Sequence, residues 1–354
     1  MTRHRWITAG ALALALVTAA PRAVSEPVKG PDVSQKASVS QTIGLTDVAV
    51  SYHRPLVNKR EIWGKLVPYD QPWRAGANEN TTITFSTPVT VEGKPLPAGT
   101  YGLHMVPGKE SWVVAFSKNF TSWGSFSYDD KEDALRVTVK PREAPFREAL
   151  AYEFEDVKPD SAVLELDWEK LAVAVKIGID VKAATMESYK NQLRSTPGFS
   201  WDGFQSAADW AVDNDADLDQ ATKWVDQSIT QEERFENFQT KSKILKKQGK
   251  TAEADKAMAT AREKATPLQR HFYARQLLTE KKVDEAFAIF KANEAKNPGL
   301  WFTKVGLARG YVAKGDFESA SKYMKEALAT SPELQKKNVE GLIKRLEKKE
   351  NING

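Results

Sequence analysis

The residues best suited to chemistry lie in one short stretch, Trp73-Arg74-Ala75-Gly76-Ala77-Asn78-Glu79, with His53-Arg54 before it and His104 after it. Arginine presents a rigid fork of donors, a carboxylate only accepts, and Asn both donates and accepts. If buried, such groups must satisfy one another or bind something, because an unpaired buried charge is costly. The stretch therefore reads in two ways. It is a polar core in which Arg74 pairs with Glu79 or a loop carbonyl, or it is a ligand site for a carboxylate or saccharide beside Trp63, Tyr69 or Trp73. Catalysis is a third arrangement, with Glu79 as general base and Arg74 stabilising developing negative charge. His53, His104 and Glu79 together would make a three-ligand zinc set with an open position. No His-x-His or His-Glu-x-x-His spacing supports one, and the chain has no cysteine. Each histidine reads as a satisfied residue, and no metal or cofactor is expected. The chain carries no nucleophile elbow, phosphate loop or dinucleotide fingerprint.

These residues must be held by β-structure. Val48, Val50 and Tyr52 alternate with Ala49, Ser51 and His53. Tyr101, Leu103 and Met105 alternate with Gly102 and His104, and Leu135, Val137 and Val139 with Arg136 and Thr138. Further strands are expected at 81–86, 112–117, 149–155, 162–168 and 171–179. Period-two runs punctuated by Gly, Pro, Asp and Asn describe antiparallel sheets packed as a sandwich. Pro95-Leu96-Pro97-Ala98-Gly99 should aim the chain sharply into the Tyr101 strand. The aromatic group Trp112, Phe116, Phe120, Trp123, Phe126 and Tyr128 reads chiefly as core packing, with an exposed stacking row as the alternative.

Beyond residue 183 the character changes to Ala, Lys, Glu, Gln and Leu. Ala221, Ala254, Ala286 and Ala320 recur at intervals of 33, 32 and 34 residues. Small residues at such a period let helices approach within a hairpin, while large apolar residues fill the space between hairpins. Around the last of them, Leu307-Ala308, Tyr311, Gly315, Met324, Ala327 and Pro332 resemble the tetratricopeptide pattern, as do Tyr273-Ala274, Leu277, Phe290 and Pro298 around Ala286. The resemblance implies stacked helical hairpins presenting a surface for a protein or peptide. The charged stretch from Glu333 to Lys349 reads as a capping helix.

The front region carries its own resemblance. Tyr52-His53-Arg54-Pro55, Arg60-Glu61-Ile62-Trp63-Gly64, Leu66-Val67-Pro68-Tyr69 and the Trp73–Glu79 stretch are similar to an exported bacterial family, domain-of-unknown-function family 2911. Leu96–Tyr101, Trp112 and Asp133–Val137 follow in the family's order. The resemblance implies no activity and no catalytic residues. Asp70 stands where the family-like Pro-Tyr-Gly turn has glycine.

The chain opens with a basic stretch (Arg3, His4, Arg5), an apolar run from Ala9 to Ala20 and small residues, the layout of a secretory signal peptide. Cleavage after Ser25 would remove three arginines from a chain of 51 basic and 47 acidic residues, leaving it nearly neutral. Nucleic acid is thus not an expected partner. The expected organisation is a signal peptide over 1–25, a β-sandwich over 35–180 and helical repeats over 184–349, with no membrane span in the mature chain. The expected role is a periplasmic or secreted, non-enzymatic binding or assembly module. Its helices would contact protein, and its β-region would hold a small polar ligand or glycan. The alternative is a hydrolase-like enzyme, glycan-directed, with its site around Arg74 and Glu79.

Overall fold

The computed structural model describes residues 30–353; the expected signal peptide lies outside the described residues. The β-region contains β1 (Gln35–Ile43), β2 (Thr46–Arg54), β3 (Thr82–Phe85), β4 (Val89–Val91), β5 (Lys94–Leu96), β6 (Gly99–Val106), β7 (Trp112–Ser117), β8 (Asp133–Val139), β9 (Arg142–Glu155) and β10 (Ser161–Gly178). They form a six-stranded sheet, β1-β2-β3-β6-β7-β8, and a four-stranded sheet, β5-β4-β10-β9, in which paired neighbours run antiparallel.

The alternation seen in the sequence decides which side chains enter the sandwich. Val48, Val50, Ile83, Phe85, Leu103, Met105, Val114 and Phe116 of the larger sheet meet Leu150, Leu164, Leu166, Val173, Val175 and Ile177 of the smaller one. At one end four indoles converge: Trp63, Trp73, Trp112 and Trp168, with Trp73 stacked on Trp168 at 5.8 Å. Aromatic contacts of this kind add to the stabilisation from area burial alone.

Three details depart from the sequence reading. The strands expected at 162–168 and 171–179 are one long strand, β10, whose register with β9 slips between Asp167 and Leu171, with Glu169 at φ +55°. A bulge breaks the alternation without ending the strand, so it reads as a gap. In the aromatic group, Trp112 and Phe116 are buried, but Phe120, Trp123 and Phe126 are exposed. The strand they seemed to extend ends at Ser117, and the chain then leaves the sheet. Asp70 adopts φ +59°, the left-handed conformation a glycine would take, and its amide bonds to the Pro107 carbonyl. Aspartate tolerates this region better than most residues.

The helices begin immediately after β10. α1 (Val181–Gln192) is capped by Asp180, whose carboxylate accepts from the Ala183 amide at 2.9 Å. Val181 and Ala184 pack on the sandwich core, while Met186 joins the helical one. Four hairpins follow: α2 (Trp201–Asp213) with α3 (Leu218–Gln231), α4 (Phe235–Lys247) with α5 (Thr251–Lys264), α6 (Pro267–Thr279) with α7 (Val283–Lys296), and α8 (Trp301–Ala313) with α9 (Phe317–Thr330). α10 (Glu333–Glu347) closes the array. Ala221, Ala254, Ala286 and Ala320 each fall one turn into the second helix of a hairpin, and all are fully buried. Opposite them, Ala208, Ser242, Ala274 and Ala308 occupy the matching place in the first helices, and the Ser242 hydroxyl donates to the Ala254 carbonyl at 2.8 Å. The architecture is a β-sandwich followed by a tetratricopeptide-like helical repeat.

Because the hairpin seam has no spare volume, Ala320→Leu should cost about 1–3 kcal/mol through overpacking. Leu334→Ala, at a side chain 94% exposed, should change stability by no more than about 0.5 kcal/mol. Urea unfolding followed by helical circular dichroism measures both.

Candidate functional site

The Trp73–Glu79 stretch is an excursion that leaves one edge of β6 and returns to it. Trp73 exchanges both backbone hydrogen bonds with Met105 at 2.8 Å, and Thr81 accepts from the Leu103 amide at 2.8 Å. β6 therefore changes partner at His104, from β3 on one side to Trp73-Arg74 on the other. The loop between them needs left-handed backbone at Ala75 (φ +48°) and Asn78 (φ +57°). Its inward carbonyl, that of Ala75, accepts from the Tyr152 hydroxyl at 2.9 Å and the Thr81 hydroxyl at 3.2 Å. The Trp73 indole donates to the Gly76 carbonyl at 3.2 Å. A Cβ on Gly76 would stand 2.6 Å from the Thr81 hydroxyl, so only glycine fits there.

This excursion sends its polar side chains to different neighbours. Glu79 turns to His53, with its carboxylate 3.4 Å from Nδ1, and Asp32 lies 3.8 Å from Nε2. Asn78 donates to the Ser34 carbonyl at 3.3 Å. Arg54 donates from Nε to the Leu150 carbonyl at 2.8 Å, tying β2 to β9. Arg74 instead lies over the exposed Trp123 ring, 5.6 Å from its centroid. Among the described residues no carboxylate pairs with it, and its buried Nε has no hydrogen-bond partner. Burial lowers its pKa from the usual arginine value. A Glu79 base and an Arg74 stabiliser would have to act at one centre, whereas here they serve separate surroundings. No group of His, Cys, Asp and Glu able to hold a metal occurs among the described residues.

His104 lies on the sheet face opposite the core, one position from Gly102 and across from Ala115. Its Nδ1 is 3.0 Å from the Ser125 hydroxyl, and its ring packs on Tyr128 at 4.7 Å. Burial pushes its pKa down to about 4, so the imidazole is neutral at physiological pH. Gly102 leaves a gap in which a Cβ would sit 3.3 Å from His104 Nε2 and 3.4 Å from Asn80 Nδ2. Asn80 is nearly buried, and neither its oxygen nor its nitrogen has a partner. Sequence reasoning missed Asn80. The register offers a retrospective signal, because Thr82 pairs with Gly102 and two residues back is the neighbour of His104.

A second constellation sits on the helical array. After α10 the chain turns at Lys349 (φ +54°) and runs back as an extended strap, Asn351–Asn353, onto α8. Ile352 is fully buried among Val305, Ala308, Val339, Leu342 and Leu346. The Arg309 guanidinium donates to the Ile352 carbonyl, that of Arg345 donates to the Asn351 carbonyl, and the Asn353 amide donates to the Arg309 carbonyl at 3.1 Å. Burial, with Arg275 and Arg345 nearby, lowers the Arg309 pKa to about 10. Past Asn353 the groove continues as a cavity of about 290 Å³ lined by Phe272, Arg275, Gln276 and Thr279 of α6.

Residues 34–177 match the family described as "Protein of unknown function (DUF2911)". No curated protein matches the chain. Among solved structures, the chain is similar to one titled "Crystal structure of YrrB: a TPR protein with an unusual peptide-binding site", at 18% identity and a TM-score of 0.28, over 46% of this chain and 89% of that one.

The two buried histidines make stability pH-dependent. His104 and His271 both have folded pKa values of about 4 against 6.5 in the unfolded chain. Above 6.5 both states are neutral and the full stability is present. As pH falls toward 4 the unfolded state takes up the protons first, and stability drops by up to about 1.4 kcal/mol per pH unit for each histidine. His104→Gln should remove about half of that slope, measured as urea unfolding midpoints between neutral and acid pH.

Proposed function

We propose that this protein is a non-enzymatic binding or assembly module, exported to the periplasm or beyond, whose helical repeats hold an extended segment of a partner protein. Its β-region holds a small polar ligand. The observation that carries the reading is the strap. An extended stretch of this chain, Asn351–Asn353, lies across the first helices of the array, with its side chain buried and its carbonyls bonded by arginines. Elements that receive an extended segment in cis have the shape and donors to receive one in trans. The groove also runs on past Asn353 toward Phe272, which is largely exposed. Side-chain donors on backbone carbonyls hold an extended segment in register, and a buried aliphatic side chain supplies affinity. The match to an uncharacterised family and the leader-like first residues support export and leave the partner open.

The test removes the strap and returns it as a separate molecule. A chain lacking residues 351–354 should bind a labelled peptide of residues 347–354 saturably, measured by fluorescence anisotropy. The intact chain, its groove filled, should bind it at least tenfold more weakly. Ile352→Asn in the peptide should abolish binding, and in the full-length chain it should open the groove to the unmodified peptide without truncation. A folded truncated chain that ignores the peptide, or binding indifferent to Ile352, would contradict the reading.

A further inference from the structure

We propose that Arg74, Asn80 and His104 form, beneath the Trp123 loop, a pocket for a pair of neighbouring hydroxyl groups on a saccharide. The proposal rests on the reading that the β-region holds a small polar ligand, and it assigns that ligand's place and chemical class.

Three polar side chains converge there without a protein partner. Asn80 is 8% exposed and both ends of its amide are unbonded. His104 is 2% exposed, with its bond to Ser125 made through Nδ1, leaving Nε2 facing the same gap as the Asn80 amide. Arg74 has a buried, unbonded Nε. Backbone pairing brings them together: β6 passes from Thr81 on one side of His104 to Trp73 on the other, so Asn80 and Arg74 flank it. The loop after β7 closes the group. Gly124 lies with its Cα against Arg74, since a Cβ there would be 3.3 Å from Nη1, and the next residue, Ser125, bonds His104. Buried polar atoms are normally satisfied, so a cluster of unsatisfied ones marks a place where something else supplies the bonds.

The balance of donors and acceptors selects the ligand. Arg74 Nε and Asn80 Nδ2 only donate, Asn80 Oδ1 only accepts, and the neutral His104 Nε2 takes either role with its tautomer. A carboxylate would satisfy the donors and leave Asn80 Oδ1 without a partner. Hydroxyls both donate and accept, so two adjacent ones satisfy all of them. The rim supplies the other half of sugar recognition. Trp123 and Phe126 are exposed and stacked, with ring planes 6° apart and centroids 6.0 Å apart, and the Arg74 guanidinium lies over Trp123. A flat aromatic surface beside a small set of placed polar groups is the pattern of a specific small-ligand site.

The full-length protein, without its leader, would be titrated with methyl β-D-glucopyranoside and, separately, with sodium acetate. The His104 ring resonances are the readout. The glucoside should shift them saturably in the millimolar range, and acetate should not. Asn80→Leu should abolish the shift. Trp123→Ala, at an exposed position that does not threaten the fold, should weaken it at least tenfold. Shifts with acetate but not with the glucoside would overturn the saccharide assignment and leave the small-ligand reading standing. No response to either probe, with Asn80→Leu more stable than the parent, would overturn both, the pocket then holding only internal water.

Discussion

The front region depends on one buried carbonyl. Ala75 turns its C=O into the sandwich, where an unbonded carbonyl would be strongly unfavourable, and the hydroxyls of Tyr152 and Thr81 both donate to it. Tyr152 comes from β9 in the opposite sheet, and its own amide donates to the Tyr52 hydroxyl at 3.1 Å. The excursion between Trp73 and Thr81 is thereby pinned to both sheets at once. That pinning decides which edge of β6 Arg74 and Asn80 occupy, and hence which groups surround His104. Glu79, on the outer limb of the same excursion, is left beside His53.

The same constraint operates on the helices in repeated form. Each hairpin brings two backbones together at a fully buried small residue, and where serine replaces alanine, at Ser242, its hydroxyl bonds across the seam. At the end of the array, α8 and α10 have no further hairpin to cover them, and a helical repeat must hide that last apolar face. Ile352 fills it, and Arg309 and Arg345 bond the carbonyls of the strap that carries it. Covering an edge with an extended segment costs less order than covering it with a further hairpin. It also leaves the cover removable, which gives the groove its binding character.

Much of this was legible in the residues. Alternation in β2, β6, β7 and β8 placed the core face correctly because each of those strands has one face in the sandwich and one outside. The interval between Ala221, Ala254, Ala286 and Ala320 located the second helix of every hairpin. The matching position in the first helices was harder to see, because serine stands there at residue 242. Other features depend on contacts that no local pattern encodes. Glu79 and Arg74 are five residues apart in sequence, yet left-handed turns at Ala75 and Asn78 send them to different neighbours. Asn80 looks like an ordinary polar residue before a strand until β6 is laid beside it. Ile352 sits in a short polar tail whose burial is visible only once α8 and α10 stand side by side.

The central claim is that an extended segment occupies the inner face of the helical array with Ile352 as its buried anchor. Nuclear Overhauser contacts of the Ile352 methyl groups in the intact protein test it most directly. Strong cross-peaks to the methyls of Val305 and Val339, with Ile352 shifts displaced from unfolded values, are the expected result. Narrow Ile352 signals at unfolded-chain positions, without contacts to α8 or α10, would contradict it.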